Sequence, residues 1–434
     1  MPIPINFTKT FFYLTFFSAL LPLWQINIFV KVDPFQCFGL VFIALFIYTI
    51  AYKKKIVVIN KATKYLILIL GMIFLVKFFS FIPAIYFGIT VSDEFIVQYF
   101  KGILYEIFNT VLLISMILFL SEEQKRDKYQ LMNYFLVFVL TSCFYQFSQL
   151  AAMLFFQIDL DKIIWPMISY NYSIENSLLD PLGGLEYIDF FRAGGFFGNP
   201  NAFAGFLILG FSMATIFFIF SKNKNYMYLA LIIFLSIILT LSRSGLAGAL
   251  IILFLIFIFY IKSLVRSYKK YLSISLIILI TPIIYFYEYT NILFARLNNL
   301  DISSMFNGRT EIWSAGISVI NQNPVFGYGL NNMPQTLDFY DATAYAGRDV
   351  HNYFLETIIN YGVFGFLIIL SLWIYLLSQF TIKNAISSSI SFSVITLLIM
   401  ANSSNVISQA YVFFPLILFF VLSISTNNKA NTFG

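Results

Sequence analysis

Histidine, cysteine and charge are all scarce in this chain of 434 residues, and each scarcity excludes something. Charged side chains make up 11% of it, against roughly 25% in soluble globular domains, which excludes a soluble globular protein. A single histidine, His351, and 20 acidic residues leave the outer segments without a carboxylate–histidine cluster to hold a divalent ion, so metal-independent chemistry is expected. The two cysteines, Cys37 and Cys143, fall in or beside apolar runs and lack metal-ligand spacing. A disulfide between them is not expected, and the pair says little about redox compartment. The formal charge of +6 follows the alternation of loops rather than a basic patch, and no nucleic-acid partner is expected.

Apolar sequence fills the chain instead. Hydrophobic residues are 60% of the total, with 54 phenylalanines and 28 tyrosines, expected to cover much of the lipid-facing surface and its interfacial belts. Runs of about 20 apolar residues mark spanning helices. They fall near 10–30, 35–51, 65–90, 96–120, 130–157, 200–220, 226–240, 244–261, 272–288, 352–378, 385–400 and 406–425. The fold class is therefore an all-α polytopic integral membrane protein with about twelve spans. One lysine precedes the first run and no small-residue cleavage site follows it, so a retained first span is expected.

Charge orients the bundle. Lys53, Lys54, Lys55, Lys61 and Lys64 occupy one loop region; Lys125, Arg126 and Lys128 the next of its set; then Lys222 and Lys224; then Lys262, Arg266, Lys269 and Lys270. The intervening loops are less basic, and Asp93 and Glu94 make one of them acidic. Lysine-rich loops face the cytoplasm, which places both termini there. Two long segments, about 158–199 and 289–351, are external and too long for plain connectors. No repeat or second soluble domain is visible, so residues 1–434 form one integral membrane unit.

The candidate chemistry lies on the outer face. Arg192 precedes Asn199-Pro200-Asn201, where a helix starts and its backbone N–H groups and dipole favour an anion. Arg243 sits in Leu241-Ser242-Arg243-Ser244-Gly245, a tight turn before another helix. A guanidinium there keeps its charge and grips phosphate oxygens in a bidentate way. Arg309 heads a short amphipathic helix over 307–320, with Asn307 as its cap. Arg348 lies three residues before His351, whose imidazole titrates near neutrality and suits proton transfer. Asp349 and Glu356 are both placed to orient that ring. Each of these groups also has an ordinary structural use: interfacial arginines snorkel, and a histidine at a helix start bonds to backbone. Lys77 and Glu106 fall near mid-membrane, where charges pair, and a structural ion pair is expected ahead of a proton path.

Taken in order, these motifs resemble the O-antigen ligase/polymerase superfamily. The resemblance rests on Arg192 with Gly195 and Asn199-Pro200-Asn201; Leu239-Thr240-Leu241-Ser242-Arg243-Ser244; Gly308-Arg309 with Trp313; Asn323-Pro324 with Gly327 and Gly329; and His351-Asn352 followed by Tyr361-Gly362-Val363-Phe364-Gly365. It spans about 190–365, and the first half contributes hydropathy only.

The resemblance implies a GT-C-like membrane glycosyltransferase at the bacterial inner membrane. Its donor would be an undecaprenyl-diphosphate-linked glycan, attacked at the anomeric carbon by a hydroxyl of an acceptor glycan. It further implies that Arg192, Arg243 and Arg309, with Asn199 and Asn201 beside them, hold the diphosphate and stabilise leaving-group charge, while Arg348, a further substrate-binding candidate, has no firm counterpart in the family's pattern. His351 would meet the acceptor hydroxyl or the diphosphate. A chain-length regulator is a further partner the resemblance admits. Polymerisation of lipid-linked repeat units into O-antigen or a related surface polysaccharide is the first reading, and ligation of finished O-antigen to lipid A–core is the runner-up. A protein O-oligosaccharyltransferase fits less well, because such relatives usually carry an extra C-terminal part. A polysaccharide flippase, of a different class, would show repeats and converging midplane charges.

Overall fold

The computed structural model describes residues 5–21, 26–27, 31–32, 34–53, 59–80, 82, 93–122, 125–161, 163–164, 193–197, 199–267, 309–329, 350–382, 384–402, 407 and 409–430. In lipid every backbone N–H and C=O must find a partner within the protein, and a helix does this inside one segment. The described chain accordingly is helical almost throughout. In order it runs α1 (Ile5–Ala19), α2 (Pro34–Lys53), α3 (Lys61–Phe79), α4 (Asp93–Glu122), α5 (Lys125–Phe156), α6 (Pro200–Ser221), α7 (Lys224–Leu239), α8 (Arg243–Ser267), α9 (Arg309–Gln322), α10 (Tyr353–Ser378), α11 (Ala385–Met400) and α12 (Ala410–Ala430). A 3₁₀ turn, Gly195–Phe197, precedes α6.

Of these, α2–α6, α8 and α10 are long and apolar enough to cross a membrane, and α7, α11 and α12 are shorter apolar helices. The chain is a multi-pass membrane protein. The expected spans coincide with α1–α8 and α10–α12, except that 272–288 lies outside the described residues. The first span is shorter than its apolar run. Helix α1 stops at Ala19, and a two-residue antiparallel ladder, β1 (Ile26–Asn27) with β2 (Lys31–Val32), turns the chain into α2. Pro34 then begins α2, a position where its missing N–H costs no intrahelical bond.

Helix α6 is the hub, with 83% of its apolar window buried. It packs on α7, α8 and α11. Helices in lipid gain little from hydrophobic burial against one another, so close approach of small residues and interhelical hydrogen bonds take over. A Cβ on Gly210 would come within 2.8 Å of Val139 in α5, and one on Gly248 within 2.7 Å of Met400 Sδ. Ser212 Oγ donates across to Ser389 O at 2.8 Å. The buried hydroxyls of α11 mostly return to their own helix, as Ser388 Oγ does to Asn384 O and Ser393 Oγ to Ser389 O.

The aromatic residues divide differently from expectation. Tyr48, Phe155 and Phe254 do face outward, but Phe12, Phe16, Phe42, Phe135, Phe203, Phe206, Phe392 and Phe419 are wholly buried. Phe135 meets Phe206 and Phe419 edge-on at 5.3 and 5.0 Å between centroids. Dispersion and ring quadrupoles bind helices whose surroundings are as apolar as they are.

Candidate functional site

The start of α10 sets the geometry. Asn352 caps it, its Oδ1 accepting from the N–H groups of Phe354 and Leu355, both at 3.1 Å. One residue earlier, His351 is exposed and holds φ 51°, in the left-handed region. For a side-chain-bearing residue that conformation costs roughly 1–2 kcal/mol, so its neighbours must fix it. They do: Trp313 Nε1 donates to Val350 O at 2.9 Å, and Tyr353 N donates to Ala401 O at 2.9 Å. The imidazole is thus displayed between a clamp from α9 and a clamp from the end of α11.

A second device joins α9 to α10. Gly362 breaks the α10 helix with φ 65° and ψ −177°. The segment Pro324–Gly329 fills the break with its own backbone. Tyr328 N and Gly329 N donate to Ile359 O and Asn360 O at 2.9 and 2.8 Å, while Val363 N and Phe364 N donate to Pro324 O and Val325 O at 2.8 and 3.2 Å. Gly327 faces the same junction with φ 68°, and a Cβ there would lie 2.5 Å from Gly362 N. Asn323 Nδ2 ties the loop by donating to Gly327 O. Ile312, Val319 and Tyr328 pack with Val350 and Ile359 into a small separate core. Helix α9 therefore leans on α10 as a packed element and begins at Arg309, whose side chain lies outside the description, as do Asn307 and all of Arg348 and Asp349.

The turn before α8 is also left-handed, at Leu241 with φ 52°. Ser242 caps the helix, its Oγ accepting from Gly245 N at 3.3 Å and pairing with Ser244 Oγ at 3.2 Å. Arg243, the first helical residue, is exposed. A Cβ on Gly245 would sit 2.6 Å from Ala204 Cβ, so the starts of α8 and α6 adjoin. Two positive helix ends meet there. Their N–H groups are not all open, however, as the sequence suggested. Asn199 Oδ1 accepts from Asn201 N at 2.9 Å and from Ala202 N at 3.4 Å. Side-chain caps answer the first turn of α6, and Asn199 acts on its own helix.

Arg192 lies outside the described residues, but the chain next to it is firmly held. Gln146 Nε2 donates to Ala193 O at 3.3 Å, and Gln149 exchanges two hydrogen bonds with the Gly195 backbone, at 3.0 and 3.2 Å. Gln149 Nε2 and Tyr145 OH both donate to Oδ1 of the buried Asp161, each at 2.7 Å. Three polar residues of α5 thereby fix the backbone of Ala193 and Gly195 ahead of α6. Sequence reasoning passed over them; their signal is Tyr145, Gln146 and Gln149 on about one turn of an otherwise apolar span.

Lys77 and Glu106 form the expected ion pair, at 2.8 Å. Its surroundings were not expected. The pair lines a cavity of about 500 Å³, together with Asn109 and Thr110 of α4, Glu356, Thr357 and Asn360 of α10, and Gln409 at the start of α12. The polar residues fall at helical spacing, Glu106 with Asn109 and Glu356 with Asn360, which is the pattern that marks them in sequence. Lys77→Met should lower stability by about 2 kcal/mol, below the ~3–5 kcal/mol of a fully buried pair because each partner is about a quarter exposed. The double change Lys77→Met with Glu106→Gln should recover most of that loss, measured as thermal unfolding in detergent.

Residues 228–370 match the family model described as O-antigen ligase. The match runs from α7 into α10 and takes in Arg243, Arg309, Arg348 and His351, while Arg192 and the cavity walls from α3 and α4 fall before it. No curated protein matches the chain.

Proposed function

We propose, with the match of residues 228–370 to the family model described as O-antigen ligase as premise, that this membrane protein polymerises undecaprenyl-diphosphate-linked repeat units into O-antigen or a related surface polysaccharide. What supports the reading is the packing of the elements that carry the candidates: Trp313 and the backbone junction at Gly362 hold α9 to α10, and Gly248 against Met400, with Tyr353 N on Ala401 O, joins α8 to the start of α10 through the end of α11.

In the reaction, an acceptor hydroxyl oxygen bonds to the anomeric carbon as the bond from that carbon to the diphosphate oxygen breaks. The electron pair leaves with the diphosphate, where Arg243 and Arg309, with Arg192 and Arg348, offset the developing charge. The hydroxyl proton passes to the His351 imidazole. These groups suffice without a metal ion. The site faces the outer side of the bacterial inner membrane, and both termini are cytoplasmic, by the distribution of lysine among the loops.

The ligase reading is favoured by one specific observation, the description of the matching family. Deleting the gene and resolving the surface polysaccharide on a lipopolysaccharide gel separates the two. A single repeat unit left on lipid A–core is the polymerase result. Long chains accumulating on the lipid carrier, with bare core, is the ligase result. An unchanged profile removes both.

A further inference from the structure

We infer that the cavity between α3, α4, α10 and α12 is a sugar subsite, taking one neutral polyhydroxylated ring of the glycan beside the reacting bond rather than the diphosphate or the isoprenoid chain. The inference rests on the glycosyl-transfer reading above and adds to it where the ring sits and what holds it.

The cavity has the volume of a small-molecule site, at about 500 Å³. It lies at the same end of the bundle as His351. Tyr353, Glu356, Thr357 and Asn360 of its wall occupy the first turns of the helix that His351 precedes. Glu356 lies about 4.5 Å of helical rise beyond Tyr353, which follows His351 by two residues.

Its charge selects against an anion. Among the described residues the lining carries one cation, Lys77, already paired with Glu106, and a second carboxyl group, Glu356. Among the described residues a diphosphate would meet an excess of acid here, and Arg243 is not part of the lining. A polyol instead needs neutral acceptors and donors in a partly apolar frame. Asn360 is 6% exposed, and its Oδ1 and that of Asn109 are buried with no hydrogen-bond partner among the described residues. Two such acceptors in one cavity are expensive to leave empty and well matched to ring hydroxyls. Phe74 and Tyr411 supply the apolar faces.

The test titrates the purified full chain in detergent with three probes: the free repeat-unit oligosaccharide released from the cell's own polysaccharide, the same unit on undecaprenyl diphosphate, and undecaprenyl diphosphate alone. Asn360→Leu and Asn109→Leu should each weaken a sugar-bearing probe at least about tenfold and leave the sugar-free lipid within about twofold. The smaller truncation, Asn360→Ala or Asn109→Ala, which removes the same acceptor without adding bulk, replaces either variant that fails to unfold cooperatively. Weakening of the free oligosaccharide assigns the ring to the acceptor, and weakening of the lipid-linked unit alone assigns it to the donor. Sugar binding unaltered in every variant, or loss of the sugar-free lipid, overturns the subsite while the transferase reading stands. A wild-type chain that binds none of the three probes overturns the transferase reading and the subsite with it.

Discussion

Gly362→Ala is expected to destroy the junction of α9 with α10 while leaving the rest of the bundle intact. At φ 65° and ψ −177° the residue occupies a region that only glycine enters readily. A Cβ would also lie 2.2 Å from Val325 O and 2.3 Å from Val325 C, backbone atoms that cannot turn aside. Relief requires the Pro324–Gly329 segment to leave, and four backbone hydrogen bonds leave with it. At ~1 kcal/mol net for each bond, plus ~1–3 kcal/mol of backbone strain, the junction loses about 5–7 kcal/mol. Helix α9 then separates from α10 and takes Arg309 with it. The expected results are faster proteolysis at 323–329 in membranes and transfer activity reduced below detection. Gly71→Ala is the control, since nothing lies within 4 Å of a Cβ there. That change should be neutral or raise stability by about 0.5–1 kcal/mol, by the helix preference for alanine. Equal behaviour of the two variants would refute the junction as a clamp.

His351 carries the second large effect, and its backbone makes the test unusually clean. Removing a general base typically costs 10²–10⁴-fold in rate, so His351→Ala should lower transfer by about that factor without altering yield. His351→Gly should lower transfer equally but unfold at a higher temperature, because glycine holds φ 51° without steric cost. The gain is up to about 1 kcal/mol, after allowing for the greater entropy of an unfolded glycine. Opposed movement of stability and activity is the signature of a strained functional residue. If His351→Gly keeps full activity, the histidine serves only the turn.

Most of the architecture was legible because each crossing writes itself as an apolar run bounded by charge. The starts of α6, α8 and α10 were legible for another reason, since Asn199-Pro200, Ser242 and Asn352 are capping chemistry ahead of apolar sequence. The Lys77–Glu106 pair was legible because charge in mid-membrane must be answered. What could not be seen was anything made of backbone. The glycines at 327 and 362 stood out as motif letters, but that they splice a loop into a broken helix depends on carbonyls and N–H groups that every residue possesses. The short end of α1 was hidden too, because the apolar run continues past Ala19 while the chain turns. The cavity stayed hidden for a third reason. Its polar residues come from α3, α4, α10 and α12, and sequence does not say which helices are neighbours.

The burial of α6 also bears on how the protein is made. Ser212 finds its acceptor on Ser389, 177 residues later in the chain. At ordinary synthesis rates of about 5–20 residues per second, that interval is roughly 10–35 s. For that time the face of α6 destined for α11 must wait, turned to lipid or to whatever attends it, while its other faces meet α5, α7 and α8 far sooner. The centre of the bundle is thus sealed from one side last, by the final quarter of the chain.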